Sequence, residues 1–254
     1  MKLTDFSTLT FDCYGTLIDW ETGILAALRP LLSRARVTLS DETVLRAFAG
    51  HEVRQQAATP AMLYADLLTE VHAQLARAWG APPNAEEDRQ FGASIEHWPA
   101  FPDTVAALAY LKQYFRLVIL SNVDRTGFSA SNARLGVAFD AVYTAQDIGS
   151  YKPDLRNFTY LLERLAADGI PRQQVLHVAQ SLFHDHAPAN AIGLHSVWID
   201  RRGEASGWGA TAQPPEGVRY DARFPGLAAL ADAHRVEVMD TMDAEGTADN
   251  HLSA

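Results

Sequence analysis

Hydrophobic and polar positions change their spacing along the chain, and each change marks an element. Thr8, Leu9, Thr10 and Phe11 form a short run of β-branched and apolar residues that suits a buried strand. Gly15 and Thr16 follow it as a flexible, hydroxyl-bearing turn. Over residues 19–36 the apolar positions Ile24, Leu25, Leu28, Leu31 and Leu32 recur at helical spacing, which predicts an amphipathic helix. Ser40 ahead of Asp41, Glu42 and Thr43 reads as an N-cap with acids in the first turn, so a second helix is expected from there to Thr59, before Pro60. A third, over 61–79, sets Leu63, Leu67, Leu68, Val71 and Leu75 on one side and is stopped by Gly80, Pro82 and Pro83. A fourth is expected over 86–98, leading to Pro99 and Pro102.

Beyond Pro102 helices and strands alternate. Helices are expected over 103–114, 131–135, 157–168 and 187–192, and strands over 116–120, 141–144, 175–179 and 196–199. That alternation implies βαβ units, hence an α/β fold with a parallel sheet covered by helices on both faces. The uninterrupted helical stretch after the first strand is expected to be an insertion, a cap over the carboxyl end of the sheet. The division that follows is a core domain of 1–18 and 100–238, a helical cap domain of 19–99, and an acidic tail of 239–254 expected to be disordered.

Composition narrows the function classes. The chain has 254 residues, 48% hydrophobic and 20% charged, enough for one large domain or a core with a smaller insertion. Net charge is -10 with no Lys/Arg cluster, which argues against nucleic acid as a partner. No apolar run nears the roughly 20 residues a membrane span needs, and the amino terminus lacks a secretory segment, so no membrane partner and a cytoplasmic location are expected. A single cysteine, Cys13, agrees with a reducing compartment. It is expected to pack inward, because neighbours on a strand face opposite ways and Asp12 is expected to face the crevice.

Candidate chemistry sits where strands end. Asp12 closes the first strand, at the edge that borders the ligand crevice in an open parallel sheet, and is the candidate nucleophile. Ser121 and Asn122 follow the second strand as donors able to hold a substrate anion. Lys152, fixed by Pro153, can pair with Asp12 and balance negative charge. In the segment VLHVAQSLFHDH, Asp185 is a further carboxylate, and His184 and His186 flank it without a third ligand evident, so no metal is assigned. Trp20 is kept as a candidate pocket residue, and the other tryptophans as core.

FDCYGTL, LSN, YKPD and QSLFHD, in that order from Leu9 to Gly193, resemble the four motifs of the haloacid dehalogenase superfamily, and Tyr14 two residues after Asp12 is similar to the L-2-haloacid dehalogenase (type II) branch. The resemblance implies a Rossmann-like core and a metal-free, cofactor-free hydrolase acting on carbon-halide bonds, converting short L-2-haloacids to D-2-hydroxy acids through an aspartyl ester. Superfamily phosphatases carry a leaving-group acid where this chain has Tyr14. They also carry two magnesium-binding acids where it has Ser181 and Asp185. By resemblance Thr16 and Lys152 support Asp12, Asp185 orients Lys152 and a water, Tyr14 and Ser121 hold the substrate carboxylate, and Asn122 touches the halide. The branch has a Tyr where this chain has Phe158 and an Asn where it has Leu182; of Arg46 and Arg54 on the second helix, Arg54 is taken for the halide-binding arginine. The alternatives are a magnesium-dependent phosphatase of small phosphomonoesters and a catalytically silent small-acid binding protein; a homodimer is allowed by resemblance. Pairing with Lys152 is expected to lower the Asp12 pKa and leave activity without an acid limb near neutrality.

Overall fold

The fold is taken from a computed structural model that describes residues 1–251, with side chains through Thr241. Six strands form one parallel sheet in the order β3-β2-β1-β4-β5-β6. They are β1 (Thr8–Phe11), β2 (Arg116–Ser121), β3 (Ala141–Thr144), β4 (Val175–Ala179), β5 (His195–Ile199) and β6 (Ala222–Phe224). The first five fall on the expected segments. The sixth carries no hydrophobic signature because its three residues, ARF, lie partly or fully exposed at the sheet edge.

Four helices lie between β1 and the return of the chain to the sheet at Ala100: α1 (Trp20–Ala35), α2 (Asp41–Ala58), α3 (Tyr64–Ala78) and α4 (Ala85–Ala93). Their caps follow the sequence: Asp19 accepts from the Thr22 N–H and Ser40 from the Thr43 N–H. The chain leaves and re-enters the sheet region side by side. Ile18 bridges Ala100, the Asp19 N–H donates to the Pro99 carbonyl at 2.7 Å, and the Phe101 N–H to the Leu17 carbonyl at 3.1 Å.

α5 (Thr104–Leu111) leads into β2, and after β2 come α6 (Arg125–Leu135), α7 (Ala145–Ile148), α8 (Leu155–Ala167), α9 (Ala187–Ile192) and α10 (Leu227–His251). Pleating splits the strands between two apolar layers. Leu117 and Ile119 of β2 join the layer with α5 and the inserted helices, while Val118 and Leu120 join Phe158, Leu161 and Leu165 of α8. In β1, Leu9 and Phe11 share the first layer and are followed on that side by Cys13, which is fully buried as expected.

One expectation needs correcting. Segment 239–251, read as disordered from its acidic composition, continues α10 as helical backbone. Leu227, Leu230 and Ala231 pack the start of that helix into the core, which supplies the nucleus, and Met and Ala favour its extension. Residues 252–254 of that expectation lie outside the described residues. Among the described residues no helix is long and apolar enough to cross a membrane.

Gly23 on α1 meets Trp98 where the inserted helices return to the sheet. A Cβ there would lie 2.2 Å from Trp98 Cδ1 and 2.4 Å from Cγ, and Trp98 is buried to 1% exposure, so the ring has nowhere to move. Gly23→Ala is expected to lower the unfolding free energy by about 1–3 kcal/mol in urea titration; an unchanged midpoint would show that this contact is not tight.

Candidate active site

The sheet order places β1 between β2 and β4, where the connections change direction, and a crevice opens there beyond the carboxyl ends of the strands. Asp12 is the first residue after β1. Gly15 makes the turn behind it at φ +88°, a conformation that suits glycine, and a Cβ there would lie 3.0 Å from Trp20 Nε1. The turn brings Thr16 back under the carboxylate. Thr16 Oγ1 donates to Asp12 Oδ2 at 2.8 Å and accepts from the Gln180 N–H at 2.9 Å, so β1 and β4 are tied through one hydroxyl.

Lys152 is the centre of the site. Its Nζ donates to Asp12 Oδ1 at 2.9 Å, to Asp185 Oδ1 at 2.6 Å and to the Leu120 carbonyl at 2.9 Å, using all three ammonium protons at 1% exposure. Asn122 holds the lysine backbone from both sides, accepting from the Lys152 N–H at 2.6 Å and donating to its carbonyl at 3.0 Å. Asp185 is held in turn. His177 Nε2 donates to Asp185 Oδ1 at 2.9 Å, and His177 Nδ1 meets Thr10 Oγ1 at 2.8 Å. Thr10 and His177 are register partners in β1 and β4, so the sheet itself fixes the orientation of Asp185.

Three burials of charge leave one net negative charge among Asp12, Lys152 and Asp185. Burial opposes ionisation of Asp185, but Lys152 and His177 outweigh it and hold this carboxyl far below the ordinary range. Lys152 is raised, because the two carboxylates outweigh its burial. Asp12 moves the other way: burial raises it above an ordinary aspartate, against the pull of Lys152, and the Asp185 charge adds to the rise. The expected lowering of Asp12 is therefore corrected, because the lysine is shared and lies closer to Asp185. Burial also pushes the Cys13 thiol well up, so the cysteine beside Asp12 is kept neutral.

Above these groups lies a cavity of about 30 Å³, room for a group of a few heavy atoms. Asp12, Lys152, Ser181 and Asp185 lie at its sheet side; Glu52 and Gln56 of α2 and Tyr64 of α3 line it from the inserted helices. Trp20, Tyr14, Asn122, His184 and Thr211 complete the wall. Trp20 is thus a pocket residue as expected, and Trp98 is core.

The expected site residues divide. Asp12, Thr16, Lys152, Asp185 and Asn122 are joined by the bonds above. Tyr14 lines the cavity with its ring edge-on to Trp98 at 5.4 Å, while its hydroxyl pairs with Ser131 at 2.9 Å, away from Asp12. Ser121 is buried and its Oγ has no partner. Arg54 does not join them: it is exposed on α2, as is Arg46. The buried face of α2 is Val44, Leu45, Phe48, Ala49, Glu52 and Gln56. Arg54 sits two residues from Glu52 and Gln56, about 200° around the helix, which turns it to solvent. Phe158 is fully buried against His177, with ring centroids 5.2 Å apart.

Glu52, Gln56, Tyr64 and His177 were not singled out from the sequence. A signal for the first two existed, since they continue the apolar spacing of α2 from Leu45 and Phe48 with polar residues. His177 carried one too, as the polar residue in VLHVA, a strand buried along its whole length.

The donor set does not fit a dedicated divalent-cation site. Of the four oxygens of Asp12 and Asp185, three already accept from Lys152, Thr16 or His177, and only Asp185 Oδ2 has no partner. Where a second acid would stand, Ser181 Oγ caps the following turn by accepting from the His184 N–H at 2.9 Å. His186 does not join His184: its ring nitrogens meet Ser196 Oγ and the Ala179 carbonyl.

Comparison with known proteins bears on this arrangement. The family model for haloacid dehalogenase-like hydrolases matches residues 6–192. An (S)-2-haloacid dehalogenase of Pseudomonas putida is 26% identical over 207 residues, spanning 78% of this chain and 86% of that protein. A phosphoglycolate phosphatase of Mesorhizobium japonicum is 27% identical over 203 residues, spanning 76% and 82%. The structure of L-2-haloacid dehalogenase from Xanthobacter autotrophicus superposes with a TM-score of 0.72 at 19% identity, covering 91% of this chain and 98% of that one, a likeness of fold.

Removing the shared ammonium should expose the strain of burying two carboxylates. Lys152→Met is expected to destabilise the protein by about 3–5 kcal/mol at pH 7. The deficit should shrink as pH falls below 4, since the native Asp185, with its lowered pKa, contributes stability that is present above the unfolded value and lost on acidification. Urea unfolding of both proteins at pH 7 and pH 3.5 checks the sign; an equal deficit at the two values would contradict it.

Proposed function

The chain belongs to the haloacid dehalogenase-like hydrolase family, and from that premise we propose that it is a hydrolytic dehalogenase of short L-2-haloacids, giving halide and the D-2-hydroxy acid. In this reading the helices α1 to α4 act as the cap of the site. One observation carries the choice of carbon-halide over phosphate-ester chemistry. The position two residues beyond Asp12 is Tyr14, whose hydroxyl is committed to Ser131 and whose ring walls the cavity. An alkoxide leaving group needs a proton from an acid at that place, whereas a halide departs with its electron pair and needs none.

Asp12 attacks C2 of the substrate. A carbon-oxygen bond forms as the carbon-halogen bond breaks, with inversion, and the product of this step is an ester on Asp12. Lys152 and Thr16 hold the two carboxylate oxygens and leave one direction of approach. Water then attacks the carbonyl carbon of the ester, and the bond from that carbon to the alkyl oxygen breaks. The 2-hydroxy acid leaves with a proton that comes from the attacking water, and the Asp12 carboxylate is restored. Asp185 Oδ2, buried without a partner, is the acceptor that orients this water. Ser121 Oγ, also buried without a partner, and backbone N–H groups near Tyr14 hold the substrate carboxylate. Asn122 acts mainly by positioning Lys152. The small cavity favours substrates of two or three carbons.

A second reading, a phosphatase of small phosphomonoesters, is favoured by the likeness to the Mesorhizobium japonicum phosphatase. The two separate in one panel. Halide release from chloroacetate or L-2-chloropropionate in the presence of EDTA, abolished in Asp12→Asn, is the expected result. A single turnover in ¹⁸O-water should place the label in Asp12. No halide from any short haloacid, with magnesium-dependent hydrolysis of p-nitrophenyl phosphate, would replace the dehalogenase by the phosphatase. Because Asp12 is raised and must be ionised to attack, activity should fall on the acid side at a higher pH than an ordinary aspartate would give.

A further inference from the structure

On the dehalogenase reading the cavity must take an anion, yet no free cation stands among the described residues that line it. Lys152 is the single cationic side chain among the described residues lining it, and its three protons are spent on Asp12, Asp185 and the Leu120 carbonyl. The helix that could bring an arginine, α2, turns Arg54 outward and Glu52 inward. Glu52 is 2% exposed; its Oε1 accepts from the Tyr64 hydroxyl at 2.5 Å, and its Oε2 is buried with no partner. A carboxyl in that state has one direction left for a hydrogen bond, and it lines the cavity.

We propose that Glu52 is the donor that holds an anion in this cavity, its neutral carboxyl giving a hydrogen bond from Oε2 to a carboxylate or halide. The inference deepens the dehalogenase reading and rests on it for the identity of the anion. Both anions of that reaction, the substrate carboxylate and the departing halide, share this chemistry. Gln56, one turn further along α2 and 6% exposed, offers its side-chain amide to the same cavity.

Burial pushes the Glu52 carboxyl up to about 8, against the hydrogen bond from Tyr64, so it is protonated at neutral pH. The tyrosines and the histidine around it do not supply a rival switch near that value, and the Glu52→Gln variant separates its titration from that of the raised Asp12. Burial raises Tyr64 on α3 well above an ordinary tyrosine, and burial, with the Glu52 charge adding to it, raises Tyr151 well above its ordinary value too. Tyr14 on the loop after β1 is likewise raised, and burial holds His184, on the turn after β4, neutral with a value of about 4. At the sheet side stand Asp12, Asp185 and the raised Lys152. On α2 itself His51 is tied to Gln74 and Arg54 is exposed.

Acetate and bromide, which cannot react, test the inference without relying on turnover. Calorimetric titration at pH 6.5 and 9.5 should show the dissociation constant of the wild-type protein for at least one of them rising about 30-fold, since only the protonated fraction binds. Glu52→Gln keeps a donor at the same place and should bind with little change between the two pH values; Glu52→Leu should bind weakly at both. Titration of acetate alone assigns Glu52 to the substrate carboxylate, and of bromide alone to the departing halide. Binding of both that is flat with pH in the wild-type protein, or that falls in Glu52→Gln as in the wild type, would overturn the inference. Halide release with pH-flat binding would sink it and leave the dehalogenase reading standing; pH-dependent binding without any turnover would do the reverse.

Discussion

One ammonium group shared between two buried carboxylates organises this protein. Lys152 is 1% exposed and touches Asp12, Asp185 and the Leu120 carbonyl, which joins the ends of β1 and β2 to the turn after β4. An arrangement of this kind is costly to desolvate and is kept only where geometry satisfies every proton. Asn122 on the lysine backbone and His177 on Asp185 supply that geometry, and Thr16 completes it on Asp12. The two carboxylates do not share the lysine equally. Asp185, closer to the ammonium and also bonded by His177, is held far below the ordinary range, and Asp12 is left with a burial penalty that its share of the lysine does not offset. In the proposed reaction this leaves Asp12 a carboxylate that is less fully stabilised than Asp185.

The inserted helices close this arrangement from the other side, and their contribution is written on one helix face. The stripe that packs Leu45 and Phe48 into the helical layer ends in Glu52 and Gln56, so the same periodicity that buries α2 also delivers two polar groups to the cavity. Helix geometry then excludes Arg54 from that cavity. Charge in the site is supplied by the sheet, and neutral polarity by the helices.

The relatives fit this division. Likeness to an (S)-2-haloacid dehalogenase and to a phosphoglycolate phosphatase at nearly the same identity is what a shared sheet apparatus with different surroundings would give. In the proposed reading, discrimination between carbon-halide and phosphate-ester chemistry rests on few positions, Tyr14 and Ser181 foremost.

The sequence by itself determined the sheet apparatus. Short apolar runs ended by polar residues located five strands and set Asp12, Lys152 and Asp185 at their carboxyl ends, because local pattern and strand pairing obey the same period. It also placed the helical insertion and the caps at Asp19 and Ser40. Only the tertiary structure decided three things. The direction in which Asp12 titrates depends on a lysine shared across 140 residues of chain. The choice of Glu52 over Arg54 depends on which face of α2 meets the sheet. The helical course of 239–251 depends on a nucleus packed against the core rather than on its own composition. In each case the deciding quantity is burial or contact between distant segments, which no local pattern contains.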